Sequence, residues 1–306
     1  MSAPVRKSNI KYGMVIDLDK CTGCGTCSVA CMTENNVYVL KDETDKVKSI
    51  TWIRIYRIEN GAPFPRTEVA YVPRPCMHCE GNEKHPTAPC VSVCPPTATT
   101  QDEIGGIVSQ IPTRCIGCRY CMAACPYHAR YFNWFDPWPT YKLPDKALPG
   151  GPKQVHFSLS PAGGASGPEA KQLINALNPE VAPRMRGVVE KCTFCHHRLM
   201  AAKEETYAKA LIDEDDDYKE YLKNHAVPEE LYQTACTQAC PSWALTFGDL
   251  NNPEHKINQL LQARKKDAFR LLERLNTNPK VYYLTTRQWV RQKADNYLEV
   301  PKGTGY

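Results

Sequence analysis

Cysteine is the residue type that gives this chain of 306 residues its chemistry, because its sixteen cysteines fall into four closely spaced groups. The first group, Cys21-Thr-Gly-Cys24-Gly-Thr-Cys27-Ser-Val-Ala-Cys31, has three cysteines separated by two residues and a fourth after three more. The third group repeats this spacing, and the second and fourth groups stretch it with residues inserted after the second cysteine. The later groups are Cys76, Cys79, Cys90 and Cys94; Cys115, Cys118, Cys121 and Cys125; and Cys192, Cys195, Cys236 and Cys240.

Thiolates at this spacing suit an iron–sulfur cube. Three cysteines of a C-x-x-C-x-x-C loop can bind three irons of one cube, and the fourth cysteine ligates a different cluster. Proline follows the fourth cysteine in the last three groups, as in the bacterial ferredoxin pattern. Met32 follows Cys31 instead, so we expect the cluster beside Cys31 to be more exposed to water. The spacing predicts four 4Fe-4S clusters that use all sixteen cysteines.

The exchange of fourth ligands predicts which cysteines share a cluster. The second and third groups are neighbours in sequence, so we expect them to form one module, and the first and fourth groups to close another. The spacing identifies the ligands more directly than the pairing of the groups. The predicted ligands are Cys21, Cys24, Cys27 and Cys240 (site 1); Cys31, Cys192, Cys195 and Cys236 (site 2); Cys76, Cys79, Cys90 and Cys125 (site 3); and Cys94, Cys115, Cys118 and Cys121 (site 4).

Three other uses of the cysteines fit the sequence less well. The thiols within a group lie too close together to join distant loops as disulfides. Zinc would accept the Cys192–Cys195 pair with a distant second pair, which leaves a zinc-stabilised interaction protein as the alternative of a different class. Covalent haem would match Cys192-x-x-Cys195-His196 but would give Cys236 and Cys240 no role. We therefore expect His196 and His197 at the surface or beside the ligands.

The rest of the composition excludes several functions. The formal net charge is +5, but no Lys/Arg block is dense enough to predict a nucleic-acid partner. No apolar run approaches the ~18 residues that indicate a membrane span. The N-terminus lacks the apolar stretch of a secretory signal, so we expect any export to depend on a partner. No nucleophile–base pair, phosphate loop or nucleotide fingerprint is present, which predicts no catalytic residues.

The periodicity between the cysteine groups predicts an α+β fold. We expect strands at 12–18 and 281–284, a hairpin of 50–58 with 67–72, a helix at 199–211, and a helical face over 254–276. Residues 287–293 read as an exposed basic surface. The predicted domains are 1–36 with 187–250 (ferredoxin-like module A), 37–70 (inserted β-hairpin), 71–135 (ferredoxin-like module B), 136–186 (Pro/Gly-rich partner-binding arm) and 251–306 (C-terminal helix and tail).

Four stretches together resemble the four-cluster ferredoxin-like subunits of complex iron–sulfur molybdoenzymes. They are Glu34-Asn35, Cys115-Ile-Gly-Cys-Arg-Tyr-Cys-Met-Ala-Ala-Cys-Pro-Tyr, Lys191-Cys-Thr-Phe-Cys and Pro279-Lys-Val-Tyr-Tyr-Leu284. Relatives of this kind serve DMSO, polysulfide and tetrathionate reductases, menaquinone reductase complexes and alternative complex III. The resemblance covers residues 10–36, 71–135 and 186–250, and Asn133-Trp-Phe-Asp136 looks nearest to the quinol-linked complexes.

The resemblance implies an electron-transfer subunit with no active site of its own. Its partners would be a large molybdopterin-family or derived subunit, a polysulfide-reductase-type integral membrane subunit that handles quinone and, in some complexes, a cytochrome c subunit. It would lie peripheral to the cytoplasmic membrane, on the periplasmic face, carried there by a signal-bearing partner. A free-standing polyferredoxin is the nearer alternative, but the arm at 136–186 and the aromatic residues leading into it look built to be covered.

Overall fold

The computed structural model describes residues 9–37, 50–134, 177–212 and 227–296, which form an α+β fold. Residues 136–176 of the expected arm and the ends of the chain lie outside the described residues. The strands are β1 Tyr12–Asp17, β2 Arg54–Glu59, β3 Val69–Arg74, β4 Thr99–Gln101, β5 Val108–Gln110, β6 Tyr131–Phe132, β7 Val189–Glu190, β8 Leu245–Asp249, β9 Ala268–Phe269 and β10 Val281–Leu284. The helices are α1 Thr26–Glu34, α2 Pro89–Ser92, α3 Tyr120–Ala123, α4 His196–Ile212, α5 Ala235–Gln238, α6 Lys256–Ala263 and α7 Gln288–Asn296.

A four-stranded sheet with the order β8-β1-β10-β9 joins parts of the chain that are distant in sequence. Strand β1 is antiparallel to β8 and parallel to β10, and Met14 lies opposite both Phe247 and Val281. All six residues of β1 are buried, as expected for a strand covered on both faces. The C-terminal segment therefore contributes β9 and β10 to the sheet that contains β1, the strand predicted at 12–18.

The helix predicted over 254–276 is wrong beyond Ala263. Helix α6 ends there, strand β9 pairs with β10, and Leu272 and Asn276 adopt left-handed backbone conformations. The regular leucines misled the prediction because Leu271 and Leu272 are buried whether they belong to a helix or to a turn. Pairing with the sheet overrides the helical periodicity.

The basic stretch at 287–293 is not simply an exposed surface. It lies largely in α7, where Val290 and Ala294 are buried. Arg287, just before the helix, donates to Asp19 at 3.1 Å and to the carbonyl of Leu18 at 2.9 Å. These contacts fix α7 against the loop that leads into the first cysteine group.

The predicted hairpin is confirmed, with β2 paired antiparallel to β3 from Arg54–Arg74 to Glu59–Val69. It begins four residues later than the alternation suggests, because Trp52 and Ile53 are buried just before β2. The short pairs β4–β5 and β6–β7 lie beside the second, third and fourth cysteine groups. Loops and short helices thus carry the cysteines, while short strands fix the ends of these segments.

Substituting Gly13 with alanine should destabilise the central sheet. A Cβ there would lie 2.7 Å from the carbonyl oxygen of Lys280. This oxygen is a backbone atom of the paired segment, so it cannot move aside as a flexible side chain could. We expect a loss of about 1–3 kcal/mol in the free energy of unfolding, seen as a drop in the anaerobic melting temperature. Leu275→Ala, at a position that is 46% exposed, is the control and should change little. Equal melting temperatures for both variants would contradict the packing of β1 against β10.

Candidate iron–sulfur centres

Each C-x-x-C pair is built on the same turn. The residue two positions after the first cysteine has a positive φ in all four groups, at Gly23, His78, Gly117 and Phe194. Glycine adopts this conformation at little cost, whereas side chains rarely do. The rings of His78 and Phe194 stack on each other with centroids 3.7 Å apart, so the two non-glycine positions pack directly together.

The Cys-Pro turns also share one design. The residue three positions after the cysteine has a positive φ at Thr97, His128 and Trp243. A backbone N–H just beyond it then reaches the sulfur: Thr99 donates to Cys94 and Ala244 to Cys240, both at 3.3 Å, and Ala129 donates to Cys125. Hydrogen bonds to the charged form stabilise a thiolate. The turns therefore prepare these sulfurs to act as ligands.

The cysteines of sites 1 and 3 each line one cavity. Cys21, Cys24, Cys27 and Cys240 line one pocket together with Ile55 and Leu245. Cys76, Cys79, Cys90 and Cys125 line a second pocket together with Pro89, Tyr127 and Arg130. Four thiols from distant segments facing one largely apolar space are the donor set that a 4Fe-4S cluster requires. These residues fit the group.

The cysteines of site 2 are buried together. Burial raises the pKa of Cys31 well above its usual value, and the neighbouring thiolates of Cys192, Cys236 and Cys195 raise it further. Cys31 itself is only 4% exposed. The expectation of a water-exposed site beside Met32 is therefore wrong, because α1 continues past Cys31 and covers it.

Site 4 lies nearer the surface. Burial raises the pKa of Cys121, and the charges of Cys90 and Cys94 add to the rise while Arg130 opposes it. Cys94 is thus close to Cys121, and Cys115 accepts a hydrogen bond from the Val189 N–H at 3.4 Å. Cys118 is exposed at the tip of the same loop.

Cysteines of different predicted sites lie close enough to affect one another's pKa. The pKa of Cys31 in site 2 is raised mainly by burial and by the other three cysteines of site 2. Cys27 of site 1 makes a smaller contribution in the same direction. Burial raises the pKa of Cys192 in site 2 to about 12, and Cys76 of site 3 contributes to the rise. Cys90 of site 3 likewise contributes to the raised pKa of Cys121 in site 4. Of the sixteen cysteines, all free and all described, the exposed ones are Cys24 in site 1 and Cys118 in site 4.

Buried cations accompany the thiols. Lys191 is fully buried and its Nζ donates to the carbonyls of Val108 and Cys192. Burial alone would lower the pKa of Arg130, but the thiolates around it, Cys90 foremost, leave it raised. Lys191 directly precedes Cys192 in sequence, whereas Arg130 follows Cys125 by five residues, so the cysteine spacing gives no signal for it. Both positive charges offset the negative charge that clustered thiolates bring into the core.

The two histidines that follow Cys195 in sequence are half-buried. His197 Nε2 lies 2.7 Å from Glu34 Oε1, and Arg198 Nη2 donates to Glu34 Oε2 at 2.9 Å. These contacts tie the end of α1 to the start of α4. Among the described residues, no three His, Cys, Asp or Glu side chains are grouped to hold a single metal ion. In the same part of the chain, no helix has the length and apolar character needed to cross a membrane.

Comparison with known families gives the class of protein to which these sites belong. A 4Fe-4S dicluster domain family matches residues 67–137, and a 4Fe-4S binding domain family matches residues 12–33. The first match contains both central cysteine groups, and the second contains the first group. The chain is a ferredoxin-type protein that binds 4Fe-4S clusters.

Similarity over nearly the whole chain gives the family. The iron–sulfur cluster-binding subunit of menaquinone reductase from Nitratidesulfovibrio vulgaris is 50% identical over 98% of both chains. The arsenate respiratory reductase iron–sulfur subunit of a Shewanella species is 32% identical over 90% of this chain and 96% of its own. The Hdr-like menaquinol oxidoreductase iron–sulfur subunit 1 of Archaeoglobus fulgidus is 31% identical over 89% and 82%.

This chain belongs to the family of iron–sulfur cluster-binding, electron-transfer subunits of molybdoenzyme-type reductase complexes. The resemblance stated from the cysteine motifs is thereby confirmed. Members of this family are not the catalytic subunits of their complexes, which agrees with a chain whose chemistry is concentrated in its cysteines.

Substituting Gly117 with alanine should remove the metal from site 4. A Cβ at Gly117 would overlap the carbonyl oxygen of Gly187, and its φ of +71° disfavours any side chain. We expect iron to fall by about a quarter, from ~16 to ~12 per chain, measured on anaerobically purified protein. Gly25→Ala is the matched control, since Gly25 also has a positive φ but no atom lies within 4 Å of the place that an alanine methyl group would occupy. Equal iron in both variants would contradict the role of this close approach.

Proposed function

We propose that this chain holds four 4Fe-4S clusters in a row, with the ligand sets of sites 1 to 4, and transfers single electrons through its complex. One partner is a large molybdopterin-family or derived subunit. The other is a polysulfide-reductase-type integral membrane subunit that exchanges electrons with quinone, and a cytochrome c subunit can complete the assembly. The 50% identity to a menaquinone reductase subunit over 98% of both chains supports the link to quinone.

The order of exposure along the row is the observation that carries this proposal. Sites 1 and 4 each have one exposed cysteine, whereas every cysteine of site 2 is buried. In site 3, three cysteines are buried and Cys125 is half-buried. A carrier that receives electrons at one surface and delivers them at another needs this arrangement, with accessible terminal sites and enclosed interior ones.

The protein supplies the environment rather than the redox chemistry. A bound 4Fe-4S cluster accepts and releases one electron, at a potential set by hydrogen bonds, charge and solvent exposure. The backbone N–H groups of Thr99, Ala244 and Val189 donate to ligand sulfurs. Lys191 and Arg130 place positive charge beside the interior sites, and the apolar core keeps water out.

We propose that partner subunits dock where the two terminal sites reach the surface. Near Cys24, Val29 is 64% exposed and Trp243, in the Cys240 turn, is 76% exposed. Beside Cys118, Ile116 and Tyr120 are also mostly exposed. Large apolar side chains gathered at one place on a surface mark interaction sites, and aromatic residues are frequent binding anchors.

The division into two ferredoxin-like modules is part of the same proposal. Module A combines 1–36 with 187–250, and module B spans 71–135, which the dicluster family match at 67–137 supports. The segments 37–70 (inserted β-hairpin) and 251–306 (C-terminal helix and tail) complete the proposed division, and 136–186 is the proposed arm that a partner covers. We further propose that the partners hold the chain at the periplasmic face of the cytoplasmic membrane.

Metal analysis tests the central claim. Anaerobically purified protein should contain about 16 irons and an equal amount of acid-labile sulfide per chain, with coupled EPR signals after dithionite reduction. Stoichiometric zinc without sulfide would replace the electron-transfer proposal with a zinc-stabilised interaction protein. A chain that contains about 16 irons but is purified from its native source without partner subunits would favour a free-standing polyferredoxin.

Charged substitutions should separate the two docking faces. Trp243→Glu should release the partner bound beside site 1, and Tyr120→Glu the partner beside site 4, each weakening binding by at least ~30-fold if these residues are anchors. Phe64→Glu is the control, because Phe64 is 92% exposed in the hairpin loop rather than beside a terminal site. Co-purification of the complex from native membranes measures the effect. Loss of the same partner in both variants would contradict docking at two separate faces.

A further inference from the structure

Cys31 differs from its three counterparts in how its sulfur is hydrogen-bonded. After Cys94, Cys125 and Cys240, proline ends the helix and a backbone N–H further along turns toward the sulfur. Without proline, α1 continues to Glu34, and the Asn35 N–H donates to the Cys31 carbonyl at 3.1 Å as in any helix. The backbone donor at this position is therefore already engaged.

The side chain of Asn35 takes the place of that donor. Its Nδ2 donates to the Cys31 carbonyl at 2.9 Å and lies 3.7 Å from the sulfur of Cys31 and 3.9 Å from that of Cys195. An amide NH₂ carries two hydrogens, so it can serve the carbonyl and the sulfurs together. Asn35 is 1% exposed, which removes water as a competing donor.

Asn35 is held in place from the other side by Arg184. The guanidinium donates to the carbonyls of Asn35 and Asn36, the second at 2.9 Å, at the end of α1. It also pairs with Glu190 at 2.8 Å, and both side chains are buried. The indole of Trp52 lies 5.0 Å from the guanidinium and covers it. The helix end that carries Asn35 is thus fixed by a buried ion pair.

We propose that Asn35 is a positioning residue that sets the reduction potential of site 2. Its amide donates toward two ligand sulfurs of the same predicted set, Cys31 and Cys195. Donors to sulfur favour the more negatively charged, reduced form of a cluster and so raise its potential. This inference rests on the ligand set proposed for site 2.

The variant Asn35→Leu keeps the approximate shape and removes the donor. We expect the reduction equilibrium of one cluster to shift about tenfold toward the oxidised form, which is ~59 mV for one electron, while the other three midpoints stay unchanged. EPR-monitored redox titration of the holoprotein measures all four. Asn258→Leu is the control, because the Asn258 amide donates to carbonyl oxygens at 2.7 and 2.8 Å. Four unchanged midpoints in a leucine variant with full iron would overturn the proposal.

A wild-type measurement covers the case in which the leucine variant loses iron. Holoprotein labelled with ¹⁵N in its asparagine side chains should show a ¹⁵N coupling to one reduced cluster by electron spin-echo spectroscopy. A missing coupling would overturn the proposal without reference to any variant. Iron and sulfide counts on the same sample separate the two failures, since a chain lacking about 16 irons fails at the ligand sets rather than at Asn35.

Discussion

The structure depends on bringing cysteine thiols from distant parts of the chain close together. Burial and mutual repulsion raise the pKa of Cys27 to about 12 and that of Cys125 to about 11. These thiols therefore stay protonated until iron binds the sulfur and displaces the proton. Metal binding then releases protons and contributes directly to folding stability. The fold must compensate for this clustered charge, and its N–H donors and buried cations do so.

The central sheet explains how sites made from distant segments keep their geometry. Strand β1 leads into the first cysteine group, and β8 follows the fourth group directly, so their pairing brings Cys240 back beside Cys21. Strand β10 adds the C-terminal segment to the other side of β1. The hydroxyl of Tyr283 on β10 donates to the Pro73 carbonyl at 2.9 Å, just ahead of the second cysteine group. One sheet therefore fixes the relative positions of the loops that carry the first, second and fourth cysteine groups.

Sequence reasoning was strongest where chemistry fixes the spacing of residues. The C-x-x-C-x-x-C spacing predicts iron–sulfur ligation because few other sites need three thiols so close together, and the family comparison confirms this class. It was weakest where local pattern and tertiary pairing compete. The leucines at 271 and 272 fit a helix, yet Ala268 and Phe269, just before them, form strand β9 and pair with β10. The burial of Cys31 was not predicted, because the absence of a proline after Cys31 suggested an open loop. In the structure, the absence of proline allows α1 to continue past Cys31, and Asn35 then covers the sulfur.

The choice of residue at the shared left-handed position follows the difference between the proposed terminal and interior sites. Gly23 and Gly117, in the terminal sites, must be glycine because a Cβ would meet the Tyr71 ring and the Gly187 carbonyl. His78 and Phe194, in the interior sites, carry rings that stack on each other, where Cys76 approaches Cys192. Those buried rings exclude water from the place where Cys76 approaches Cys192, and a dry environment strengthens the charge–dipole interactions there. Two non-glycine residues adopt the strained left-handed conformation at this closed contact.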